Sequence, residues 1–168
     1  MKPILQVEDD PNDIFLLQHA FRKVGARNPI HIATDGQQAI DYLDGAGKFA
    51  DRTRFPFPCL ALLDLNLPCM PGLKLLSWIR QECRIPLVVL VLSSSADEKE
   101  IADAYQLGAN GYLVKPAQAS KLLAMAKAIK DFWLNQNMLP KESRWEMARF
   151  DAHRRTKPFV FKPLVHAH

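Results

Sequence analysis

Residues 59–72, CLALLDLNLPCMPG, join an unbroken apolar run to a single carboxylate and a loop. The apolar run ends at Leu63, Asp64 follows it, and proline and glycine come soon after. A short apolar run bounded by turn residues is typical of a strand that is buried on both faces of a parallel sheet. Open α/β sheets bind their ligands at the carboxyl ends of such strands. A single aspartate there more often caps a helix or a loop, so the interpretation of Asp64 depends on the other strand ends.

Predicted strands and helices alternate along the chain. The predicted strands are residues 4–7, 30–33, 59–63, 87–92 and 111–114. The helices predicted from apolar spacing and turn residues cover residues 11–24, 36–43, 73–79, 97–107 and 119–134. Five strand–helix units predict an α/β fold with a parallel sheet covered by helices on both faces. We expect a flavodoxin-like, doubly wound, five-stranded sheet of strand order 2-1-3-4-5.

Composition and charge favour one globular domain with a short basic appendage. The 168 residues are 48% apolar, and no apolar run approaches the roughly 20 residues of a membrane helix. Seven of the 22 basic residues but only three of the 18 acidic ones lie in residues 141–168. We therefore expect a neutral domain over residues 1–140 and a basic tail over 141–168, without a separate effector domain. No signal peptide and no cysteine spacing typical of a metal site are present, which favours the cytoplasm.

Polar side chains end four of the five predicted strands. Glu8 and Asp9 follow the first strand, Asp64 the third, Ser93 the fourth and Lys115 the fifth. In the expected strand order, these side chains meet at one edge of the sheet. Three carboxylates at close range repel one another unless a cation lies among them, and Mg²⁺ binds carboxylates while leaving room for phosphate oxygens. The set therefore predicts a phosphoryl-transfer site, completed by one ammonium and one hydroxyl group.

Four motifs carry a resemblance to a known family. They are VEDD (7–10), LLDLNLPCMPG (62–72), VLVLSSS (89–95) and GYLVKP (111–116). On these motifs, residues 3–134 resemble the receiver domains of two-component response regulators. The resemblance implies a signalling phosphoacceptor that assists its own phosphorylation and dephosphorylation, not an enzyme with a separate substrate.

The resemblance implies a role for each matching residue. Asp64 would be the phosphoacceptor, and Glu8 and Asp9 would form the acidic pocket for Mg²⁺ or Mn²⁺. Asp64 would also bind the metal, together with the backbone carbonyl of Asn66. Asp10 matches no required role, and we expect it to cap the first helix.

Further residues match the phosphoryl contacts and the switch of the family. Ser93 and Lys115 would contact the phosphoryl group. Ser93 and Tyr112 would form the switch, and Asn66 and Ser95 would tune hydrolysis. The resemblance also places Lys115-Pro116 where the family often has a cis peptide bond.

One subgroup of the family matches further features. The segment VEDDPND (7–13), the long connection 44–58 and the ending FWL…LP (132–140) resemble small stand-alone regulators that serve bacterial phytochrome-type kinases. The resemblance implies a sensor histidine kinase as partner and a surface that changes its association with itself or another protein. Two residues depart from the family: Ala117 stands where many receivers have phenylalanine, and Ser93 replaces threonine.

Three other interpretations compete with this resemblance. A haloacid-dehalogenase-type hydrolase would need Asp-x-Asp, but Asn66 stands two residues after Asp64. A flavodoxin would need a phosphate-binding loop after the first strand, where EDDPND (8–13) would repel phosphate. The tail could contact nucleic acid or a membrane surface as output. It is too short for a helix-turn-helix domain, so we expect neither partner and favour a tail that is partly disordered or folds back.

Overall fold

The computed structural model describes residues 1–82 and 86–138 and contains a five-stranded parallel sheet. The strands are β1 (Ile4–Val7), β2 (Ile30–Ala33), β3 (Leu60–Asp64), β4 (Val88–Ser93) and β5 (Gly111–Val114). They lie in the order β2-β1-β3-β4-β5, and every neighbouring pair is parallel. The predicted fold class and strand order are confirmed.

Five α-helices connect and cover these strands. They are α1 (Pro11–Lys23), α2 (Gly36–Asp44), α3 (Gly72–Gln81), α4 (Glu98–Gln106) and α5 (Ala119–Ile129). Asp10 caps α1 as predicted, since its side chain accepts hydrogen bonds from the backbone N–H groups of Asn12 and Asp13. The last helix differs from the expectation, because α5 ends at Ile129 and continues as a π-helix over Lys130–Gln136.

Both faces of β3 are buried, which explains its unbroken apolar sequence. The strand lies between β1 and β4, with Leu60 opposite Ile4 and Val88. Ala61 and Leu63 belong to one apolar core, and Leu60 and Leu62 belong to the other. Successive side chains of a strand point to opposite faces, so each face of β3 contributes to a separate core.

The connection between α2 and β3 is packed more closely than its polar sequence suggests. It contains a 3₁₀ turn at Gly47–Phe49, and the Phe49 and Phe55 rings meet edge to face with centroids 5.2 Å apart. Tyr42 of α2 contacts both rings. The Arg52 guanidinium donates hydrogen bonds to the carbonyl oxygens of Tyr42 and Phe55 at 2.7 and 3.2 Å. This segment is therefore an ordered extension of the core that contains α2.

No helix in the described part of the chain is both long and apolar enough to span a bilayer. The predicted boundary at residue 140 and the basic segment 141–168 lie outside the described residues.

Candidate functional site

Three carboxylates meet where β1 and β3 end. Glu8 directly follows β1, and Asp64 is the last residue of β3, the strand beside it. Glu8 and Asp64 are buried, whereas Asp9 is exposed. One carboxylate oxygen from each of the three lies within 4.8 Å of the other two. Because parallel strands present their carboxyl ends at one edge, the sequence order of strand ends becomes a cluster in space.

Lys115, which follows β5, supplies the positive charge of this cluster. Its Nζ donates hydrogen bonds to Glu8 Oε2 at 2.6 Å, to Asp13 Oδ2 at 2.8 Å and to Asp64 Oδ2 at 2.9 Å. Burial alone would lower the pKa of Lys115, but the hydrogen bonds to these three carboxylates outweigh it and raise the pKa above its usual range. The ammonium group therefore keeps its charge at physiological pH.

The surroundings of Glu8, unlike those of Lys115, disfavour the charged form of the side chain. Burial is the main cause that raises the pKa of Glu8, and the charge of Asp64 adds to it. The hydrogen bond from Lys115 lowers the pKa but does not offset these effects. One ammonium group, shared among several carboxylates, leaves the site short of positive charge.

The acidic cluster fits a divalent cation. It offers hard carboxylate oxygens from Glu8, Asp9 and Asp64, which are the ligands that Mg²⁺ and Mn²⁺ accept. The exposed carboxylate of Asp9 leaves one side of the cluster open to solvent. The unbalanced charge at Glu8 is a further reason for a cation to bind here.

Asp13 belongs to the site but was missed by the sequence analysis. It lies in the first turn of α1, three residues after the Asp10 cap, and its carboxylate accepts one of the three hydrogen bonds from Lys115. The available signal was the position of α1, because a helix that starts at the edge of the sheet presents its first turn to the site. An acidic residue in that turn could have been considered as a partner of Lys115.

The loop after β3 shapes the surroundings of Asp64. The backbone N–H of Asn66 donates to Asp64 Oδ1 at 3.1 Å and so fixes the orientation of the carboxylate. The first residue of α3, Gly72, lies so close that a Cβ atom there would be 2.3 Å from the carbonyl oxygen of Asp64. Only glycine permits this approach, which places the start of α3 directly against the end of β3.

Ser93, Ser95 and Tyr112 form a second cluster around Glu100 of α4. The fully buried Ser93 donates its hydroxyl hydrogen bond to Glu100 Oε1 at 2.9 Å. The Tyr112 hydroxyl contacts the same Oε1 atom and lies 3.1 Å from the carbonyl oxygen of Ser95. Burial, followed by the hydrogen bond to Glu100, raises the pKa of Tyr112. Ser93 and Tyr112 were predicted to act together, whereas the contact of both with Glu100 was not predicted.

The Lys115-Pro116 peptide bond differs from the family expectation. No peptide bond within residues 1–82 and 86–138 is cis, so this bond is trans.

Comparison with known proteins agrees with this geometry. A family model described as the response regulator receiver domain matches residues 4–127. The response regulator Rcp1 of Synechocystis is 36% identical over 142 residues, which cover 83% of this chain and 93% of Rcp1. The Mn²⁺-bound form of Rcp1 has a TM-score of 0.73, with 84% of this chain and 100% of that chain covered.

Two further solved structures are similar to this chain. The response regulator RPA3017, described in red light signalling of R. palustris, is 37% identical with a TM-score of 0.79. The match covers 84% of this chain and 99% of the RPA3017 chain. The phosphorylated cyanobacterial phytochrome response regulator RcpA is 36% identical with a TM-score of 0.75. The match covers 83% of this chain and 99% of the RcpA chain. The resemblance to stand-alone regulators associated with phytochromes is confirmed, and the chain belongs to the response regulator receiver family.

Proposed function

We propose that Asp64 accepts a phosphoryl group from a sensor histidine kinase and that this changes how the protein associates with itself or a partner. The observation that carries the proposal is the position of Asp64, buried at the end of β3 between two further carboxylates and the Lys115 ammonium group. A hydrolase with an aspartate nucleophile would also need a second aspartate as general acid two residues later, where this chain has Asn66.

The transfer reaction follows from this arrangement. A carboxylate oxygen of Asp64 attacks the phosphorus atom of a phosphohistidine, and a new P–O bond forms as the P–N bond breaks. The electron pair of the P–N bond stays on the imidazole nitrogen of the donor. Lys115, 2.9 Å from Asp64 Oδ2, neutralises charge on the carboxylate and is within reach of an oxygen of the arriving group.

Glu8, Asp9 and Asp64 would hold Mg²⁺ or Mn²⁺, together with the backbone carbonyl of Asn66. When bound, the cation supplies positive charge to the equatorial oxygens of the transferring group. The support for this ligand set is the 4.8 Å cluster of oxygens and the uncompensated charge at Glu8. The Asn66 N–H, which donates to Asp64 Oδ1, keeps the carboxylate oriented toward that side.

The remaining residues would act after transfer. Ser93 would donate to the phosphoryl group and Tyr112 would respond, while Asn66 and Ser95 would flank the hydrolytic water and tune its access. In this role the chain is a phosphoacceptor that assists its own phosphorylation and dephosphorylation. Neither Asn66 nor Ser95 is a base at neutral pH, so hydrolysis would depend on geometry rather than on proton abstraction.

The relatives support a phytochrome-type histidine kinase as the partner. Rcp1 and the phytochrome response regulator RcpA resemble this chain over most of its described length, which supports a phytochrome-type histidine kinase in the cytoplasm as the phosphoryl donor. We assign the receiver to residues 1–140 and treat 141–168 as its basic tail.

The decisive experiment is incubation with acetyl phosphate and Mg²⁺, followed by intact-mass measurement. The wild type should gain one phosphoryl group, whereas Asp64→Asn and the wild type in EDTA should gain none. Stoichiometric phosphorylation of Asp64→Asn would overturn the assignment of Asp64. Equal uptake in EDTA would overturn the metal site.

A further inference from the structure

The Ser93 hydroxyl is already engaged in this structure, and its acceptor is not at the acidic cluster. Its only proton is donated to Glu100 Oε1 at 2.9 Å, while its oxygen accepts from the Ser95 N–H at 3.2 Å. Ser93 is completely buried, so water cannot replace a lost partner without entry into the site. Before Ser93 can donate a hydrogen bond to the phosphoryl group, as the proposed function assigns, it must therefore break its hydrogen bond to Glu100.

The same carboxylate oxygen also contacts Tyr112. Its hydroxyl lies against Glu100 Oε1 and has a second acceptor, the carbonyl oxygen of Ser95 at 3.1 Å. A single hydroxyl proton is shared between these two acceptors. When Ser93 leaves Oε1, the oxygen becomes a stronger acceptor for Tyr112, because it no longer divides its charge between two donors.

Glu100 is placed to transmit this change to a helix. It lies in the first turn of α4, where its own backbone N–H donates to the Asp97 cap at 3.0 Å. Neighbouring charges do not share its role: Glu98 is exposed, and Lys99 pairs with Asp103 at 3.3 Å. A movement of the Glu100 side chain therefore acts directly on the beginning of α4.

We propose that Glu100 is a positioning residue: it competes with the phosphoryl group on Asp64 for the Ser93 proton, and it links that competition to Tyr112 and α4. This inference rests on the proposed function and adds a residue to it. In the resting protein Glu100 holds Ser93 away from Asp64. After phosphorylation the Ser93 hydroxyl donates its hydrogen bond to a phosphoryl oxygen instead of Glu100, and Tyr112 becomes the main donor to Glu100. The switch then works through the Glu100 carboxylate oxygen, which Ser93 and Tyr112 share as an acceptor.

The first test measures the affinity for beryllofluoride, which mimics a phosphoryl group on aspartate, in the full chain with Mg²⁺. Because Glu100→Ala removes the competing acceptor, it should lower the dissociation constant about tenfold. Glu100→Gln keeps a neutral, weaker acceptor and should lower it by about threefold. The matched control is Glu98→Gln, which removes one charge from the same helix turn and should behave like the wild type. If Glu100→Ala and Glu98→Gln have the same dissociation constant for beryllofluoride, the proposal is wrong.

The second test needs no phosphoryl group and keeps the two proposals separable. The chain contains three tyrosines, so 3-fluorotyrosine labelling gives three ¹⁹F signals, and Tyr112→Phe identifies the one from Tyr112. Ser93→Ala should shift the Tyr112 signal more in the wild-type background than in the Glu100→Ala background, where only the direct interaction between Ser93 and Tyr112 remains. An equal shift in both backgrounds would overturn the shared acceptor. The protein could show the Glu100-dependent shift and yet take up neither beryllofluoride nor phosphate. That result would contradict the proposed function but support the hydrogen-bond link between Ser93, Glu100 and Tyr112.

Discussion

At the scale of single residues, the charge of Glu8 is the main electrostatic cost of the site. The carboxylate is buried, lies beside Asp64 and shares the Lys115 ammonium with two other acceptors. Its raised pKa shows that burial and the repulsion from Asp64 exceed the attraction of Lys115. Without a cation, the ionised Glu8 carboxylate therefore has a higher free energy in the folded protein than in the unfolded chain.

Glu8→Gln should therefore stabilise the metal-free protein and weaken metal binding. The amide keeps the shape and an acceptor oxygen for Lys115 but removes the buried negative charge. In EDTA we expect a gain of about 1 kcal/mol, or roughly 2–4 °C in the melting temperature. Mg²⁺ should raise the melting temperature of the wild type more than that of the variant. Glu98→Gln, at an exposed position, is the control, and a lower melting temperature of Glu8→Gln in EDTA would contradict the argument.

The residues that the sequence predicted correctly as neighbours are those at strand ends. Glu8, Asp64 and Lys115 come together because parallel strands of known order converge at one edge, and order follows from the alternating pattern. Asp13 and Glu100 were missed because they lie in the first turns of helices. Whether a helical side chain reaches the site depends on how the helix is rotated against the sheet, and apolar spacing defines this only coarsely.

At the scale of secondary structure, the junction between β3 and α3 controls the position of Asp64. The Gly72 N–H donates to the carbonyl oxygen of Leu65 at 2.9 Å, which closes the loop that begins at Asp64. This close approach was not predicted, since the sequence shows a glycine at a helix start but not what lies above it. In the same way, the largely polar composition of residues 44–58 did not indicate that two of their own rings, Phe49 and Phe55, pack against each other.

Gly72→Ala should destabilise the protein by about 1–3 kcal/mol and slow phosphorylation. The added Cβ would lie 2.3 Å from the Asp64 carbonyl oxygen and 2.6 Å from the Leu65 Cα, and backbone atoms cannot move aside without displacing the site. Gly36→Ala is a matched control, because Gly36 also begins a helix but its Cβ would meet only the flexible Met70 side chain, at 2.8 Å. Urea unfolding and acetyl phosphate uptake measure both effects. Equal losses of stability and phosphorylation rate in the two variants would contradict this argument. They would show that a Cβ at any helix start, rather than the contact with the Asp64 backbone, causes the loss.

At the scale of the whole molecule, an exposed apolar surface lies apart from the acidic site. Tyr105 of α4, Val114 of β5 and Phe132 in the π-helix are 52%, 45% and 51% exposed. Together with Tyr112 and with Met125 of α5, they line one open hollow of about 590 Å³. We refer to this as the α4–β5–α5 surface. Tyr112 and Glu100 connect it to Ser93, so a change at Asp64 has a physical route to it.

We expect phosphorylation to drive self-association through the α4–β5–α5 surface. A hydrogen bond to a charged group changes a two-state balance by about 1.5–3 kcal/mol, which is roughly a tenfold to hundredfold change in population. Exposed aromatic side chains then supply the apolar area that a homodimer buries. Sedimentation velocity with Mg²⁺, with and without beryllofluoride, should show a wild-type dimer only with beryllofluoride.

Phe132→Asp should remain monomeric in both conditions while it still accepts a phosphoryl group, because a charge in the interface prevents burial without reaching Asp64. Phe15→Asp is the matched control: Phe15 is 59% exposed on α1, outside the α4–β5–α5 surface, and should dimerise like the wild type. If Phe15→Asp and Phe132→Asp lose the dimer equally, the interface lies elsewhere. A wild type that binds beryllofluoride and stays monomeric would contradict self-association through this surface.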